Sequence, residues 1–351
     1  MSFLHRWIAR LKNRPNQPVF PGTHWMMNTA WLCQAVYVVA KLDVAERLRH
    51  GPLAIDGLAA ACDVQTVPLL QVMRALAGFG IFTVTADGRW ALNAEARRLL
   101  GDDPLSVRPY ALVCGEQLWS AAGRMLEQLR TGRTGFEHAH GAPIWSHYAA
   151  TPKDADVFDT FMSAVTDIHV RWLTAAYPFA RHHRVVDVGA GRGRLLSAML
   201  ATAPNLHGVW YDRAEVLPAA RVLLAEAGVA ARCEFVPGSF LERVPPGADL
   251  YVIKHVLHDW ADEPAGAILK NIAAAMEPSS RLLVIEGLLD ERSGRGGLAK
   301  IRDLEQMFWT GGRVRSQAEF SGLLAPAGLE IVGVVDTPIA DMSLIHVRKR
   351  S

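Results

Sequence analysis

The second half of the chain alternates short apolar runs with helical patterns. From Arg184 onward, runs rich in valine, isoleucine and leucine recur between segments whose apolar residues are spaced three or four apart. This alternation is typical of an α/β fold with a mainly parallel sheet that helices cover on both faces. In such sheets ligands bind beyond the carboxyl ends of the strands, so functional residues are expected there. The predicted strands are 185–188, 208–211, 233–236, 250–253, 282–285, 329–335 and 343–347.

The first hundred residues have a different pattern. Two short helical patterns, 58–61 and 69–76, are followed by alternating segments at 81–84 and 90–92. This order predicts a winged helix. A DNA-binding winged helix needs basic side chains, but the charges between residues 54 and 80 are two aspartates and one arginine, a net charge of minus one. We therefore predict a dimerisation module, and a DNA-binding regulator stays as the alternative from a different class of protein.

The middle of the chain is predicted to be a helical connector rich in aromatic residues. Because it must pack over the following domain, some of its aromatic side chains are expected to form a wall of a substrate pocket. A glycine-rich loop in the connector carries His138 and His140, which are interpreted either as metal ligands or as part of a solvated turn. The predicted domains are 1–103 (helical and winged-helix dimerisation domain), 104–177 (connector) and 178–351 (sheet domain).

Composition and charge narrow the function classes. The chain has 351 residues, of which 50% are hydrophobic, and this is enough for two substantial cores. Lysine and arginine (37) nearly balance aspartate and glutamate (35), so the overall charge indicates no polyanionic partner such as a nucleic acid. The four cysteines form no Cys-x-x-Cys and no secretory leader is recognised, which favours the cytoplasm. The longest apolar run, 29–40, is too short to span a membrane. A helical pattern at 3–11 is interpreted as an arm on a partner subunit or, alternatively, as a membrane-surface helix.

A glycine-rich turn in the segment 184–196 is the feature around which the sheet domain is organised. Gly189, Gly191 and Gly193 follow the first predicted strand and precede a helical pattern. Glycine lets a ligand lie against bare main chain, and the amides of the following helix favour a carboxylate or a phosphate. Arg194 stands where a dinucleotide fingerprint has its last glycine, which disfavours a nicotinamide cofactor, and the sequence does not continue as a phosphate-binding loop. A connecting loop without a ligand is the other interpretation.

Two further candidates follow strand ends. Asp212 ends the second predicted strand, where a carboxylate can accept both hydrogen bonds of a ribose diol, although an aspartate there is also a common helix cap. The fourth strand is followed by Val-Leu-His-Asp-Trp at 256–260. His258 in this segment is interpreted as a general base or as a packed histidine. Together with His255 it also forms part of a conceivable metal site, although no third ligand is evident.

These segments together resemble a known enzyme family. The glycine-rich turn is similar to the first motif of S-adenosylmethionine-dependent methyltransferases, and Val-Leu-His-Asp-Trp closely resembles the caffeic-acid-type small-molecule O-methyltransferases. The resemblance covers nearly the whole chain. It includes Phe158-x-x-x-Met162, the segment 281–286, and Gly-Gly-Arg at 311–313 followed by Arg-Ser at 315–316. It implies a Rossmann-like, seven-stranded methyltransferase domain preceded by the winged-helix dimerisation domain.

The resemblance also implies a reaction. S-adenosylmethionine would donate a methyl group and leave as S-adenosylhomocysteine, without a metal, and a homodimer would methylate an aromatic or heteroaromatic hydroxyl of a small specialised metabolite. A phenol has a pKa near ~10 and a histidine near ~6.5, so a neutral His258 can take the proton while Glu286 orients its ring. The implied cofactor contacts are Asp187, Gly189, Gly191, Asp212, Arg213, Ser239, Phe240 and Lys254. The candidates for the acceptor pocket are Trp119, Phe161, Met162, Met307 and Trp309.

The sequence departs from the family pattern at two positions. Ser239 stands where the family usually has an aspartate that holds the adenine amino group, and a hydroxyl accepts that hydrogen bond more weakly. Val314 stands where the family usually has a second glutamate beside the base. The second departure is compatible with an easily ionised hydroxyl, with a ring nitrogen as acceptor, or with a non-methylating reaction on the same scaffold. Because His258 is retained, we expect an oxygen acceptor first.

Overall fold

The computed structural model of the chain describes residues 22–292, 297–337, 339 and 342–350. The helical arm predicted at 3–11 lies outside the described residues. The chain divides into two compact units that meet between Gly115 and Glu116. The division into the domains 1–103, 104–177 and 178–351 stays a prediction.

The first unit is helical and carries one small hairpin. Its core is built from buried apolar side chains that include Val39, Met73, Leu76, Phe82 and Trp90. The helix pair α3 and α4 is followed by an antiparallel hairpin, β1 and β2, as the sequence predicts. The elements are α1 (Gly22–Lys41), α2 (Val44–Arg47), α3 (Ile55–Ala61), α4 (Thr66–Gly78), β1 (Thr83–Val84), β2 (Trp90–Ala91), α5 (Ala94–Arg97) and α6 (Arg108–Val113). A π-helical turn, Cys114–Leu118, follows at the point where the two units meet.

The second unit opens with five helices that precede the sheet. They are α7 (Trp119–Ala122), α8 (Met125–Thr131), α9 (Gly135–His140), α10 (Ile144–Ala150) and α11 (Pro152–Ala176). The prediction of a loop around His138 and His140 is wrong, because these residues form part of α9. Thr134 begins this helix by a capping box, in which its side chain accepts from the amide of Glu137 while the Glu137 carboxylate accepts from the Thr134 amide.

A seven-stranded sheet forms the centre of the second unit. The strands are β3 (Arg184–Val188), β4 (His207–Asp212), β5 (Cys233–Pro237), β6 (Leu250–Lys254), β7 (Arg281–Glu286), β8 (Leu329–Asp336) and β9 (Ser343–Lys349). Their order is β5-β4-β3-β6-β7-β9-β8, and all seven predicted strands are confirmed. Strands β3 to β7 are parallel, whereas β9 runs antiparallel to β7 and β8. The short connection between β8 and β9 explains the reversal, because a parallel pair needs a crossover of a dozen or more residues.

Helices cover both faces of this sheet. The remaining helices are α12 (Arg194–Thr202), α13 (Leu217–Glu226), α14 (Asp262–Ala275), α15 (Gly297–Trp309) and α16 (Gln317–Leu324). Successive side chains of a strand point to opposite faces. Accordingly, Val186 and Val188 pack in the core that includes residues of α14 and α16, whereas Val185 packs in the core that includes residues of α12 and α13. The parallel strands are thus buried on both faces, and only their ends are available for a ligand.

Among the described residues, none of the helices combines the length and the apolar character that are needed to cross a bilayer.

Candidate functional site

The glycine-rich turn connects β3 to α12 and leaves its backbone open to a cavity. Gly189, Gly191 and Gly193 have φ angles of 75°, 53° and 82°, in the left-handed region that favours glycine. A Cβ atom at Gly189 would lie 2.7 Å from Cγ2 of Val256, so no larger residue fits there without displacing the chain. Residues 189–191 line the cavity, and its volume is about 280 Å³. The turn therefore forms one wall of a ligand-sized space at the carboxyl edge of the sheet.

Asp212, at the end of β4, is tied to the same turn. One carboxylate oxygen accepts the amide of Gly191 at 2.7 Å and the other accepts the amide of Arg213 at 2.7 Å. Burial raises the pKa of Asp212, and these two hydrogen bonds oppose that shift. The side chain lines the cavity. A carboxylate held there by backbone amides still has lone pairs for a diol, so the hydrogen bonds to the turn position it and do not saturate it.

Asp187 contributes a second buried carboxylate to the cavity. Burial raises its pKa to about 7, and the positive charge of Lys254 opposes the shift. Within the described residues, its Oδ2 atom is buried without a hydrogen-bond partner. Such an orphaned polar atom is costly unless a ligand pairs with it. Lys254 lines the same cavity, and its Nζ lies 3.2 Å from Oγ1 of Thr166 on α11.

Aromatic side chains form another wall of this cavity. Phe240 and Trp260 line it and meet edge to face with ring centroids 6.1 Å apart. Trp260 also stacks on Trp145. The guanidinium carbon of Arg213 lies over the Trp145 ring, 5.5 Å from its centroid. The indole Nε1 of Trp260 is buried without a partner among the described residues. These rings offer a flat apolar slot with a spare donor, which suits a heteroaromatic base.

His258 lies on a tight turn just beyond the carboxyl end of β6. The turn begins with His255, whose φ of 52° is left-handed, and continues as a short helical turn, Leu257–Asp259. The carboxylate of Glu286, at the end of β7, holds this turn: its Oε1 accepts the amides of residues 256, 257 and 258 at 3.1, 3.0 and 3.4 Å. Its other oxygen, Oε2, lies 2.5 Å from Nδ1 of His258. One carboxylate therefore fixes both the backbone and the ring of His258.

The turn is also held from its other side. The guanidinium of Arg315 is buried and donates to the carbonyl oxygens of Leu257 and Trp260, each at 2.8 Å. Gly312 packs so closely that a Cβ atom there would lie 2.0 Å from the carbonyl oxygen of His258. The segment 311–316 seen in the sequence therefore supports the His258 turn through Gly312 and Arg315.

The charges around His258 set its protonation. Burial lowers the pKa of His258, but the negative charges of Glu286 and Asp259 outweigh burial, and the pKa is raised overall. Burial raises the pKa of Asp259 to about 7, and its Oδ1 lies 3.6 Å from Nε2 of His258. In contrast, burial and the charge of Lys254 hold the pKa of the adjacent His255 well below its usual range. His258 is thus the histidine of this turn that is equipped to hold a proton.

A second, smaller cavity adjoins the first. His258 lines it together with Phe161, Trp309 and Val314, and its volume is about 40 Å³. Four residues line both cavities, namely Phe158, Met162, His255 and Asp259. The two spaces therefore share a wall, with His258 on the side of the smaller one. A group held in the larger cavity can face a molecule that enters the smaller one. We call the larger space the cofactor cavity and the smaller one the acceptor cavity, after the roles that the sequence predicts for the residues that line them.

The structure brings together most of the residues that the sequence singles out. The eight predicted cofactor residues all line the cofactor cavity: Asp187, Gly189, Gly191, Asp212, Arg213, Ser239, Phe240 and Lys254. Phe161, Met162 and Trp309 line the acceptor cavity. Trp119 and Met307 line neither cavity. Trp119 is 39% exposed, and the carbonyl oxygen of Met307 accepts a hydrogen bond from the side chain of Gln128.

Several cavity residues were not found by sequence reasoning. Thr166 is one that could have been found, because Phe158, Met162 and Thr166 recur every four residues and so share one face of α11. Arg302 and Gln306 line the acceptor cavity from α15, and no motif marks them. Asp159 lines the cofactor cavity, and burial raises its pKa to about 6.

The metal interpretations of the sequence find no support in the described residues, where no cluster of three histidine, cysteine or acidic side chains is arranged to hold an ion. The histidines of α9 instead approach hydroxyl groups. His138 Nε2 lies 2.8 Å from Oγ1 of Thr131, and His140 Nε2 lies 3.0 Å from Oγ of Ser120.

Comparison with known proteins agrees with this geometry. A family model described as an O-methyltransferase domain matches residues 122–330. The chain is 36% identical to a mitomycin biosynthesis 6-O-methyltransferase of Streptomyces lavendulae over 326 residues, which cover 92% of this chain and 93% of the relative. It is 34% identical to a phenazine O-methyltransferase of Lysobacter antibioticus, with 92% and 94% of the two chains covered.

Solved structures show the same fold. An O-methyltransferase from neocarzinostatin biosynthesis, in complex with S-adenosylmethionine and 2-hydroxy-5-methyl naphthoic acid, superposes with a TM-score of 0.80 at 30% identity, and the match covers 90% of this chain and 95% of the other.

Sequence similarity also extends to relatives with other activities. One is an 8-amino-8-demethylriboflavin N,N-dimethyltransferase of Streptomyces davaonensis, at 32% identity over 85% of this chain and 87% of the relative. An aclacinomycin 10-hydroxylase of Streptomyces purpurascens is likewise 32% identical, with 85% and 81% covered.

The matched family model spans more than half of the chain, and the two O-methyltransferase relatives align with the chain over nearly their whole length. The chain therefore belongs to the O-methyltransferase family, and it is an S-adenosylmethionine-dependent methyltransferase.

Proposed function

We propose that this enzyme methylates a hydroxyl oxygen of a small aromatic or heteroaromatic specialised metabolite, with His258 as the general base. The observation that carries the proposal is the pair formed by His258 Nδ1 and Glu286 Oε2, 2.5 Å apart, with His258 lining the smaller of two adjoining cavities. The O-methylation of mitomycin and phenazine compounds by the relatives supports the acceptor class. So does the naphthoic acid bound to the structural neighbour.

The residues of the cofactor cavity fit the cofactor in their chemistry. We assign Asp212 to the ribose diol, because its carboxylate is held beside the glycine-rich turn by two amides. We assign the orphaned Oδ2 of Asp187 to the ammonium group of the amino-acid part, since that charge would pair a buried carboxylate. Phe240 and Trp260 suit the adenine ring, and Ser239 accepts from its amino group. When bound, S-adenosylmethionine supplies an electrophilic methyl group on a sulfonium.

His258 removes the proton from the acceptor hydroxyl as the oxygen attacks. The negative charge of Glu286 Oε2, 2.5 Å from Nδ1, favours the tautomer that keeps its proton on Nδ1, so that Nε2 presents a lone pair. The same carboxylate stabilises the imidazolium that results from proton transfer. The apolar walls that Phe161 and Trp309 contribute exclude water, which favours a direct, in-line transfer.

Replacement of the base tests this proposal. We expect His258→Ala to lower the turnover of a phenolic acceptor by at least about a hundredfold, which is the usual contribution of a general base, while the affinity for S-adenosylhomocysteine stays within about twofold. Turnover is measured by mass spectrometry of the methylated product, and affinity by calorimetry. An unchanged turnover in the folded variant would remove His258 from the mechanism.

Nitrogen methylation is the second candidate, and Val314 is the observation that favours it. This side chain is buried and lines the acceptor cavity at the position where the resemblance implies a second glutamate. A ring nitrogen carries no proton to remove, so it needs less help from carboxylates around the base. Paired hydroxyl and ring-nitrogen acceptors of similar size separate the two functions, because fragmentation shows which atom gains the methyl group. No methylated product from either class would favour a non-methylating reaction, as in the hydroxylase relative.

We also propose that the enzyme is a homodimer. Helix α1 of the first unit exposes Met26, Met27 and Trp31 by 73%, 72% and 67%, which is unusual for large apolar side chains on a monomer. The apolar surface on α1 suits a second copy better than it suits DNA, which needs basic groups. Light scattering of the wild type is expected to give twice the chain mass, and Trp31→Glu is expected to reduce it. A monomeric wild type would overturn the proposal. Placement in the cytoplasm stays a prediction.

A further inference from the structure

The acceptor cavity has a polar edge on α15. Arg302 and Gln306 both line the cavity and lie four residues apart, so they occupy the same face of the helix one turn from each other. On α11, Phe161, Met162 and Val165 line the cavity with apolar side chains. A molecule in this space therefore meets hydrogen-bond donors from α15 and hydrocarbon from α11.

Neighbouring residues of α15 hold this polar edge in place. The Nη1 of Arg302 donates to Oε2 of the buried Glu305 at 2.9 Å, which anchors the guanidinium at the helix surface. The amide oxygen of Gln306 accepts the hydroxyl of Thr310 at 2.9 Å. This bond uses one lone pair of the amide oxygen and turns that oxygen toward Thr310. The planar guanidinium of Arg302 and the amide NH₂ group of Gln306 lie next to each other on one face of α15. This arrangement suits a planar anion.

The charges that face the cavity are compatible with an anion at this edge. Burial, with smaller contributions from the positive charges of Lys254 and Arg302, holds the pKa of His255 well below its usual range, so this ring adds no positive charge near neutral pH. Asp259 lines the cavity as well, but burial raises its pKa to about 7, so near neutral pH it carries less than its full negative charge. Glu286 is paired with His258 and is not among the lining residues of this cavity. Glu305 pairs with Arg302 at 2.9 Å from outside the cavity lining, and among the described lining residues only Asp259 carries an opposing charge toward the cation on α15.

We propose that Arg302 and Gln306 bind a carboxylate on the acceptor, so that the preferred substrates are hydroxylated aromatic carboxylic acids. The proposal rests on the proposed function, because it takes the smaller cavity as the acceptor site. The carboxylate lies against α15, the ring packs on the apolar wall of α11, and the hydroxyl points toward His258. Arg302 and Gln306 determine specificity and take no part in the proton transfer.

Binding measurements with the product cofactor present test this proposal without any methyl transfer. The probes are 6-hydroxy-2-naphthoic acid and 3-hydroxy-2-naphthoic acid, each compared with its methyl ester, on enzyme saturated with S-adenosylhomocysteine. For at least one pair, we expect the wild type to bind the acid about 10- to 100-fold more tightly than the ester, as for hydrogen bonds to a charged group. Arg302→Gln is expected to abolish this preference while it leaves the affinity for the ester within about threefold. Arg302→Lys, which keeps the charge without the fork, is expected to retain part of the preference.

Lys300→Met is the matched control, because it removes a cation from the same helix outside the cavity lining. It is expected to keep the preference for the acid. The proposal is overturned if the wild type binds acids and esters equally, if Arg302→Gln weakens both equally, or if Lys300→Met has the same effect as Arg302→Gln. If Arg302→Gln does not fold, the wild-type preference and its reduction in Arg302→Lys decide. Methylation of neutral phenols alone would leave the proposed function intact and refute this inference, whereas Arg302-dependent selectivity for the acid without methylation of any acceptor would support this inference and refute the proposed function.

Discussion

The carboxylate of Glu286 lies 2.5 Å from Nδ1 of His258, and this makes Glu286→Gln the sharpest test of the mechanism. Glutamine is nearly the same size, and its carbonyl oxygen can still accept the amides that Glu286 accepts from residues 256–258. Its NH₂ group, however, would then face Nδ1 of His258, where Oε2 now lies at 2.5 Å. Because NH₂ is a donor only, the ring would have to place its proton on Nε2. In that tautomer Nε2 has no lone pair with which to remove a proton.

The lost stabilisation of the imidazolium sets the expected effect on the rate. A hydrogen bond to a charged group contributes about 1.5–3 kcal/mol, and this stabilisation of the imidazolium disappears. At about 1.4 kcal/mol per factor of ten, the rate of methyl transfer to a phenol should fall by about 10- to 150-fold. The pH dependence should also change. Burial lowers the pKa of His258 and Glu286 raises it, so removal of the charge lowers the pKa and moves the rising limb of the pH profile to lower pH.

Single-turnover methyl transfer with excess enzyme, measured from pH 5 to 9, reports both effects without interference from product release. Glu330→Gln is the control, since it removes a carboxylate that pairs with Arg348 on the exposed surface and is worth little there. It should leave the rate and the profile unchanged. If Glu286→Gln transfers methyl at the wild-type rate with an unshifted profile, then Glu286 does not act through His258, and the mechanism as proposed is refuted.

Two further predictions concern the cofactor cavity. Gly189→Ala places a side chain at a φ of 75° and 2.7 Å from Cγ2 of Val256, so we expect a lower melting temperature and at least tenfold weaker binding of S-adenosylhomocysteine by calorimetry. Gly322→Ala, within α16 and with open space around it, should be neutral or stabilising, and equal behaviour of the two variants would contradict the argument. Because burial raises the pKa of Asp187 to about 7, and an ammonium ligand favours its ionised form, affinity for S-adenosylhomocysteine should be higher at pH 8 than at pH 6. Asp187→Asn should reduce this difference, and an equal pH dependence in both proteins would refute the assignment.

The strand ends explain why the cofactor side of the site could be predicted from the sequence. Gly189, Asp212, Ser239 and Lys254 each lie at or just after the carboxyl end of a parallel strand, and the strands are recognisable as apolar runs. Since parallel strands end at a common edge, residues that are far apart in sequence converge there without further information. The antiparallel placement of β9 was not predicted, because pairing direction depends on the length of a connection and not on the apolar pattern.

The acceptor side depends on helices, and this explains the residues that were missed. A helix exposes about a third of its residues to any one neighbour, and tertiary packing decides which third faces the cavity. Arg302, Gln306 and Trp309 follow the spacing i, i+4, i+7 and face the cavity together. Met307, a predicted pocket residue, lies one position away from this face and is absent from the cavity lining. The rotation of α15 about its axis turns Arg302, and not Met307, toward the cavity, and the sequence alone does not give that rotation.

The same distinction bears on what Val314 means. The His258 turn is held by Glu286 through three amides and by Arg315 through two carbonyl oxygens, so the backbone does not need a second carboxylate to stay in place. What a second carboxylate would add is charge beside the ring. Asp259, at 3.6 Å from Nε2, is the carboxyl group on that side, and burial raises its pKa to about 7. The absence of this glutamate therefore weakens the proposed base without loosening its support. Under our proposals, the choice of substrate then depends on how easily the acceptor ionises and on the groups of α15 that bind it.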